Sequence, residues 1–267
     1  MDDRPIGVFD SGFGGLTVAR ALMDLLPEED LVYFGDTGRY PYGPRDLDEV
    51  REFARQITAI LVGSHDVKMV VAACNTASAA ALDLLRFEFD VPVIGVIDPG
   101  VRAAVAVTTN GRVGVIGTVG TIASGAYQRA VLVQRAPVTL TCAACPGFVE
   151  FVERGETDTE QVHVLAERLL APLHAARVDT LLLGCTHYPF LARTIGEVLG
   201  RDVVLVSSAD ETAFEVRAIL GETGLVRRSA AKGYRRFVSS GDVALFRRLG
   251  ARLLGPELDQ VEAWSWG

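Results

Sequence analysis

The sequence predicts an α/β protein built as two similar parallel-sheet α/β domains, with the active site in the cleft between them. Three observations carry this expectation. Short β-branched runs alternate with longer helical patterns along almost all of the 267 residues, the pattern of parallel sheets covered by helices. The run Val67–Ala73 is continuously apolar, as a strand buried on both faces requires. The chain also repeats itself weakly. IGVFDSGFGGLTVARAL, from Ile6, matches VGVIGTVGTIASGAYQRAV, from Val113, about 107 residues on. VVAACNTAS, from Val70, matches LLLGCTHYP, from Leu181, about 111 residues on. Any two βα units look somewhat alike, yet two matches at nearly one offset point to a repeated half.

The elements follow in order. Ile6–Phe9 reads as a strand, Gly14–Leu26 as a helix and Leu31–Gly35 as a second strand. Gly, Pro and Tyr through Asp36–Pro44 predict a loop. Leu47–Val62 is amphipathic at helical spacing. After the Val67–Ala73 strand, Asn75–Phe87 reads as helix. Val93–Val96, Arg112–Ile116, Thr180–Leu183 and Val203–Val206 continue the strands. In an open α/β sheet, ligands bind beyond the carboxyl ends of the strands, so the residues just past each strand are the candidates for chemistry.

Composition narrows the function classes. Hydrophobic residues make up 49% and charged residues 22%, the balance of an ordinary globular protein. A chain of this length buries roughly three quarters of its unfolded surface and needs no staples. The net charge of −8 disfavours a nucleic-acid backbone or an anionic membrane as main ligand. The basic cluster Arg227, Arg228, Lys232, Arg235, Arg236 reads as solvated surface. No apolar run approaches ~18 residues, so no membrane span is expected. The opening Met1-Asp-Asp-Arg is unlike a secretory leader, and the expected location is cytoplasmic. There, four cysteines are more naturally catalytic, metal-bound or buried thiols than disulfides.

Cys74 follows an apolar strand and precedes Asn75-Thr76 and an Ala-rich helix; Cys185 lies between Leu181-Leu182-Leu183-Gly184 and Thr186-His187. A thiol at a helix N-terminus is activated by free N–H groups and the positive end of the dipole. A lone cysteine is ordinarily a small buried hydrophobe. Two at matching turns, each followed by polar residues, point to function. Asn75, Thr76 and Thr186, with those N–H groups, suit a substrate carboxylate. Asp10-Ser11 closes the first strand before Gly12, Gly14 and Gly15, whose spacing is not a dinucleotide GxGxxG. Asp10 reads as a functional carboxylate or as a helix cap. His187 reads as a group that protonates or orients something in the cleft, or as a first-turn residue facing solvent. His65, His163 and His174 read as surface residues. Cys142 and Cys145 form a lone CxxC without a second pair or a thioredoxin-like setting. No Walker A, HExxH or GxSxG string occurs. A four-cysteine zinc or redox module is one rival reading, and a protein that only sequesters a small dicarboxylate is another.

Taken together, several strings resemble the glutamate racemases of the aspartate/glutamate racemase superfamily. They are GVFDSGFGGLTV (Gly7–Val18), GDTGRYPYG (Gly35–Gly43), ACNTASA (Ala73–Ala79), GVIDPG (Gly95–Gly100), GVIGTVGT (Gly114–Thr121), CPGFVEFVERG (Cys145–Gly155), LLLGCTHYPFL (Leu181–Leu191) and SSGD (Ser239–Asp242). The resemblance spans nearly the whole chain in the right order. It implies interconversion of L- and D-glutamate with no cofactor and no metal, supplying D-glutamate for peptidoglycan. It implies a first domain of residues 1–97 plus 207–267, completed by the C-terminal segment, and a second of residues 98–206. Glutamate is the implied small-molecule partner; nucleic acid and membrane are not expected, and a homodimer is. By the same resemblance, Cys74 takes the α-proton of D-glutamate and Cys185 that of L-glutamate. Asp10 assists Cys74 and His187 assists Cys185. Both also count among the substrate-binding positions, with Ser11, Tyr42, Gly43, Asn75, Thr76, Thr118, Thr121 and Thr186. Glu153 matches a catalytic glutamate. Gly147 and Glu150 depart from the family's more usual apolar and Pro residues, so Glu150 stands beside Glu153 as a candidate, with Glu153 favoured. Aspartate or a hydantoin is the nearest rival substrate.

Overall fold

The computed structural model describes residues 1–258 and 260–266. Its strands are β1 (Ile6–Asp10), β2 (Leu31–Gly35), β3 (Met69–Ala72), β4 (Val93–Gly95), β5 (Arg112–Gly117), β6 (Thr139–Ala144), β7 (Thr180–Gly184), β8 (Val204–Ser207), β9 (Arg235–Ser239) and β10 (Val261–Ala263). They form two parallel sheets, ordered β10-β9-β2-β1-β3-β4 and β6-β5-β7-β8. The chain divides into two compact units. One holds residues 1–96 and 209–267, the other residues 97–208.

Burial explains the strand sequences. β1, β2, β3 and β7 are buried along their whole length, because helices cover both faces of a parallel sheet. Alternate residues then serve two cores. Val8, Tyr33 and Val71 pack with Leu16, Leu22, Val216 and Phe246 on one face. Phe9, Val32, Phe34 and Val70 pack with Ile57, Leu61 and Leu85 on the other. In the second unit, Leu181 and Leu183 join Phe148, Leu170 and Ile195.

The internal repeat has a structural counterpart. β2-β1-β3-β4 and β6-β5-β7-β8 have the same spatial order, and the two sequence matches align β1 with β5 and β3 with β7. In each half the chain runs from the first strand to a neighbour on one side, then crosses to the other side. The first and third strands therefore flank a topological switch point, where an open α/β sheet leaves a crevice for ligands.

Three strands carry little sequence pattern. β6 (TLTCAA) and the three-residue β10 (VEA) are partly exposed edges. β9 opens with Arg235 and Arg236, so the basic cluster is not simply solvated surface. Arg235 donates to the carbonyl of Pro27 at 3.0 Å and Arg227 to that of Glu28 at 2.6 Å. Arg236 pairs with Glu262 across the β9–β10 edge at 2.6 Å.

Candidate active site

In the first unit, the carboxyl ends of β1 and β3 place Asp10 and Cys74 beside the switch point. Asp10 is fully buried, and its Oδ2 accepts the N–H of Gly12 at 2.9 Å, the Asx-type turn that bends the chain away from the strand. Gly15 makes room for it: a Cβ there would stand 2.5 Å from Asp10 Cβ. The buried Tyr33 hydroxyl donates to Gly12 O at 3.1 Å and fixes the other side of the turn. Burial, with Asp10 and Cys74 nearby, holds the Tyr33 phenol well above its usual pKa, so it remains a donor.

Cys74 is the N-cap of the helix Asn75–Glu88, and its sulfur accepts the N–H of Ala77 at 3.5 Å. Ser, Thr, Asp and Asn are the residues favoured at that position. A cysteine there breaks the local rule and places sulfur where a backbone dipole favours negative charge. The Cys74 thiol lies 3.7 Å from the Ser11 hydroxyl. Asn75 and Thr76, in the first helical turn, are also buried.

In the second unit, Cys185 follows β7. Gly184 permits the approach: a Cβ there would come within 2.6 Å of both the Ile116 carbonyl and the Tyr127 hydroxyl. The 3-10 turn Tyr188–Leu191 follows and leads directly into the helix Ala192–Leu199. Cys185 Sγ is 3.9 Å from His187 Nδ1. His187 is buried rather than facing solvent, and its Nε2 is 3.8 Å from Glu153 Oε1. Glu153 sits on the helix Phe148–Arg154, whose N-cap Gly147 has φ +94°. That left-handed backbone accounts for glycine at this position. Glu150, on the same helix, is exposed. The Tyr188 hydroxyl donates to Cys145 O at 3.1 Å and ties this helix's entry to the Cys185 turn. Thr118 caps a short helix at the end of β5, accepting the N–H of Thr121 at 3.2 Å, and the two hydroxyls share a hydrogen bond at 2.9 Å. Thr121 is buried and Thr118 half-buried; Thr186 is buried beside Cys185.

The loop after β2 holds Tyr42 and Gly43. Tyr42 is buried, and its hydroxyl donates inward to Asp36. Asp36 was legible in principle. It follows β2 as Asp10 ends β1, and in register Asp10 lies opposite Gly35. Its fully buried carboxylate also receives Arg39, Ser240 and Trp266.

The CxxC does not form a ligand pair. Cys142 lies in β6 and Cys145 just beyond it. Residues three apart in extended backbone point to opposite faces. Burial pushes the thiols up to about 11 and about 12, Cys185 adding to the second. Among the described residues, the group able to surround a metal ion is Asp158, His163 and Glu197, without a cysteine. Arg193 already bridges both carboxylates there, at 2.9 and 3.0 Å.

Two parallel sheets, each ending in a thiol beside its switch point, set the class to be sought. The Asp/Glu/Hydantoin racemase family matches residues 16–215, and the chain belongs to it. Within that class its relatives are narrower. The glutamate racemase of Mycobacterium leprae is 55% identical over 259 residues, covering 97% of this chain and 94% of that protein. The crystal structure of glutamate racemase isoform RacE1 from Bacillus anthracis superimposes with a TM-score of 0.93 at 42% identity, covering 100% of this chain and 98% of that one. Glutamate racemase from Francisella tularensis in complex with D-glutamate gives 0.92 at 35% identity, covering 99% and 98%.

Proposed function

We propose that this protein interconverts L- and D-glutamate by moving a proton between two thiols, with Cys74 serving one face of the α-carbon and Cys185 the other. The observation that carries the reading is the pair of thiols at equivalent strand ends, in a chain whose full-length relatives are glutamate racemases. Racemisation removes the α-hydrogen and returns a proton to the opposite face. One thiolate and one thiol do this in place, and their states exchange with each turnover. Cys74 deprotonates D-glutamate and Cys185 deprotonates L-glutamate. Asp10 and Ser11 serve the first thiol; His187, backed by Glu153, serves the second. A well-placed proton-transfer group contributes ~10²–10⁴-fold.

The α-hydrogen is far less acidic than a thiol, so the developing carbanion needs donors around the carboxylate. Asn75, Thr76, Thr186 and adjacent backbone N–H groups are suited to this, and one such donor contributes ~3–4 kcal/mol. Thr118 and Thr121 line the same strand edge as Cys185. Because the Tyr42 hydroxyl is held by Asp36, the part played by Tyr42 and Gly43 falls to their backbone. The reading includes no cofactor, a cytoplasmic location, a homodimer and D-glutamate supply for peptidoglycan. Proton NMR in D₂O tests its centre. Both glutamate enantiomers exchange their α-hydrogen and converge on a racemic mixture; a solution that keeps its α-hydrogen and its rotation overturns it.

A further inference from the structure

We infer that Trp266 is a positioning residue for the loop after β2, the segment to which the proposed function assigns substrate contacts through Tyr42 and Gly43; the inference rests on that reading. The loop, residues 36–45, contains no helix or strand, so side chains must hold it. The holding group is Asp36, fully buried. Its Oδ2 accepts Arg39 Nε at 2.7 Å and the Tyr42 hydroxyl. Its Oδ1 accepts Ser240 Oγ at 2.6 Å and Trp266 Nε1 at 3.0 Å. Two donors belong to the loop and two to the C-terminal part of the chain. A buried carboxylate is tolerated only while its donors remain, and losing one leaves part of its desolvation cost unopposed.

Trp266 acts on the loop in a second way. The Arg39 guanidinium lies between the Phe53 ring, at 4.0 Å, and the Trp266 ring, at 3.4 Å. Stacked cations of this kind are both stabilised and fixed in orientation. Arg39 then reaches Gln56 Oε1 at 2.6 Å, anchoring the loop to the helix Leu47–His65. The tail is delivered by β10, which runs parallel to β9 in the register Val261↔Phe237. The N–H of Trp264 continues this pairing onto Ser239 O at 2.8 Å. Phe34 packs against both indoles, at 6.1 and 5.8 Å. Just past β9, Ser240 also holds the loop beside Asp36: Gly38 N–H donates to Ser240 Oγ at 3.0 Å, and a Cβ on Gly38 would stand 2.5 Å from Ser240 O. The place of the Tyr42-Gly43 backbone is thus set by Asp36, and that of Asp36 by a residue remote in sequence.

The test compares full-length wild type, Trp266→Ala and Trp266→Phe by hydrogen exchange without substrate and by steady-state kinetics in both directions. In Trp266→Ala, exchange across residues 37–45 rises. KM for both enantiomers increases about tenfold, the size of one lost hydrogen bond to a charged acceptor, while kcat changes little. Trp266→Phe keeps a ring over Arg39 without a donor and falls between; it carries the comparison if the alanine variant does not fold. Unchanged exchange over the loop overturns the inference. So does raised exchange with KM unmoved, because the loop then does not position substrate. A wild type that fails to racemise glutamate overturns the functional reading instead, and the exchange data alone then decide whether the tail holds the loop.

Discussion

The turn after β3 and the turn after β7 occupy one topological position in two like-ordered sheets, yet they hold their thiols by different means. Cys74 caps a helix of 14 residues and takes a backbone N–H onto its sulfur, with a hydroxyl and a buried carboxylate on the neighbouring strand end. Cys185 precedes a 3-10 turn of four residues and has an imidazole beside it and a carboxylate beyond. The repeat therefore conserves where the sulfur sits and varies which groups stand beside it. Strand order fixes the position of each thiol, whereas its surroundings depend on a few side chains that differ between the halves.

The largest effect separates the thiols from everything else. Cys74→Ala and Cys185→Ala each reduce racemisation by about a thousandfold or more, measured by polarimetry; normal turnover in either variant removes the need for two thiols. Next come the assisting groups, which distinguish the halves. His187→Asn lowers kcat from L to D more than kcat for the reverse, and Asp10→Asn lowers kcat from D to L more, each by about ten- to a hundredfold, with KM moving in step because kcat/KM stays equal in the two directions for a pair of enantiomers. Equal loss in both directions would erase the asymmetry. Glu153 contributes less, because its contact with His187 is 3.8 Å long and partly exposed. Glu153→Gln costs about threefold, under ~1 kcal/mol, and Glu150→Gln leaves kcat/KM unchanged; the opposite ranking would make Glu150 the partner.

The smallest effect concerns the cysteines outside the turns. Cys142 and Cys145 are raised to about 11 and about 12 from 9.0. Between pH 9 and those values the folded chain retains protons that the unfolded chain has released, so stability falls as pH rises through that window. Wild type thus loses more melting temperature between pH 8 and pH 10 than the Cys142→Ala/Cys145→Ala variant, which keeps its activity. Identical losses would mean that these thiols do not report burial.

How much was legible depended on distance along the chain. Strands buried on both faces announce themselves, as in the apolar run around β3, because every position must be apolar. β6 and β9 do not: the edge strand β6 carries Thr and Ala, and β9, an inner strand between β10 and β2, begins with two arginines that pair with neighbouring groups. Asp10 and Cys74 stood out because each ends an apolar run. Asp36 meets the same criterion, but it opens a stretch rich in Gly, Pro and Tyr whose composition predicts only a loop. Trp266 offered no local signal, since its hydrogen bond to Asp36 spans 230 positions. The burial of His187 was equally hidden, because it depends on a helix that begins some way upstream at Phe148.

The nesting of one unit within the sequence of the other governs the order of assembly during synthesis. The second unit's strands, β5 to β8, all lie between Arg112 and Ser207, so that sheet has every partner as soon as the ribosome has passed it. The first sheet does not. β2 waits for β9, and the neighbouring bond from Tyr234 to Asp30 closes a span of 204 residues. Non-local parallel pairing of this kind forms slowly. Until Arg235–Ser239 emerges, the nascent chain carries β2 as a bare apolar edge, the sort of surface that templates misassembly.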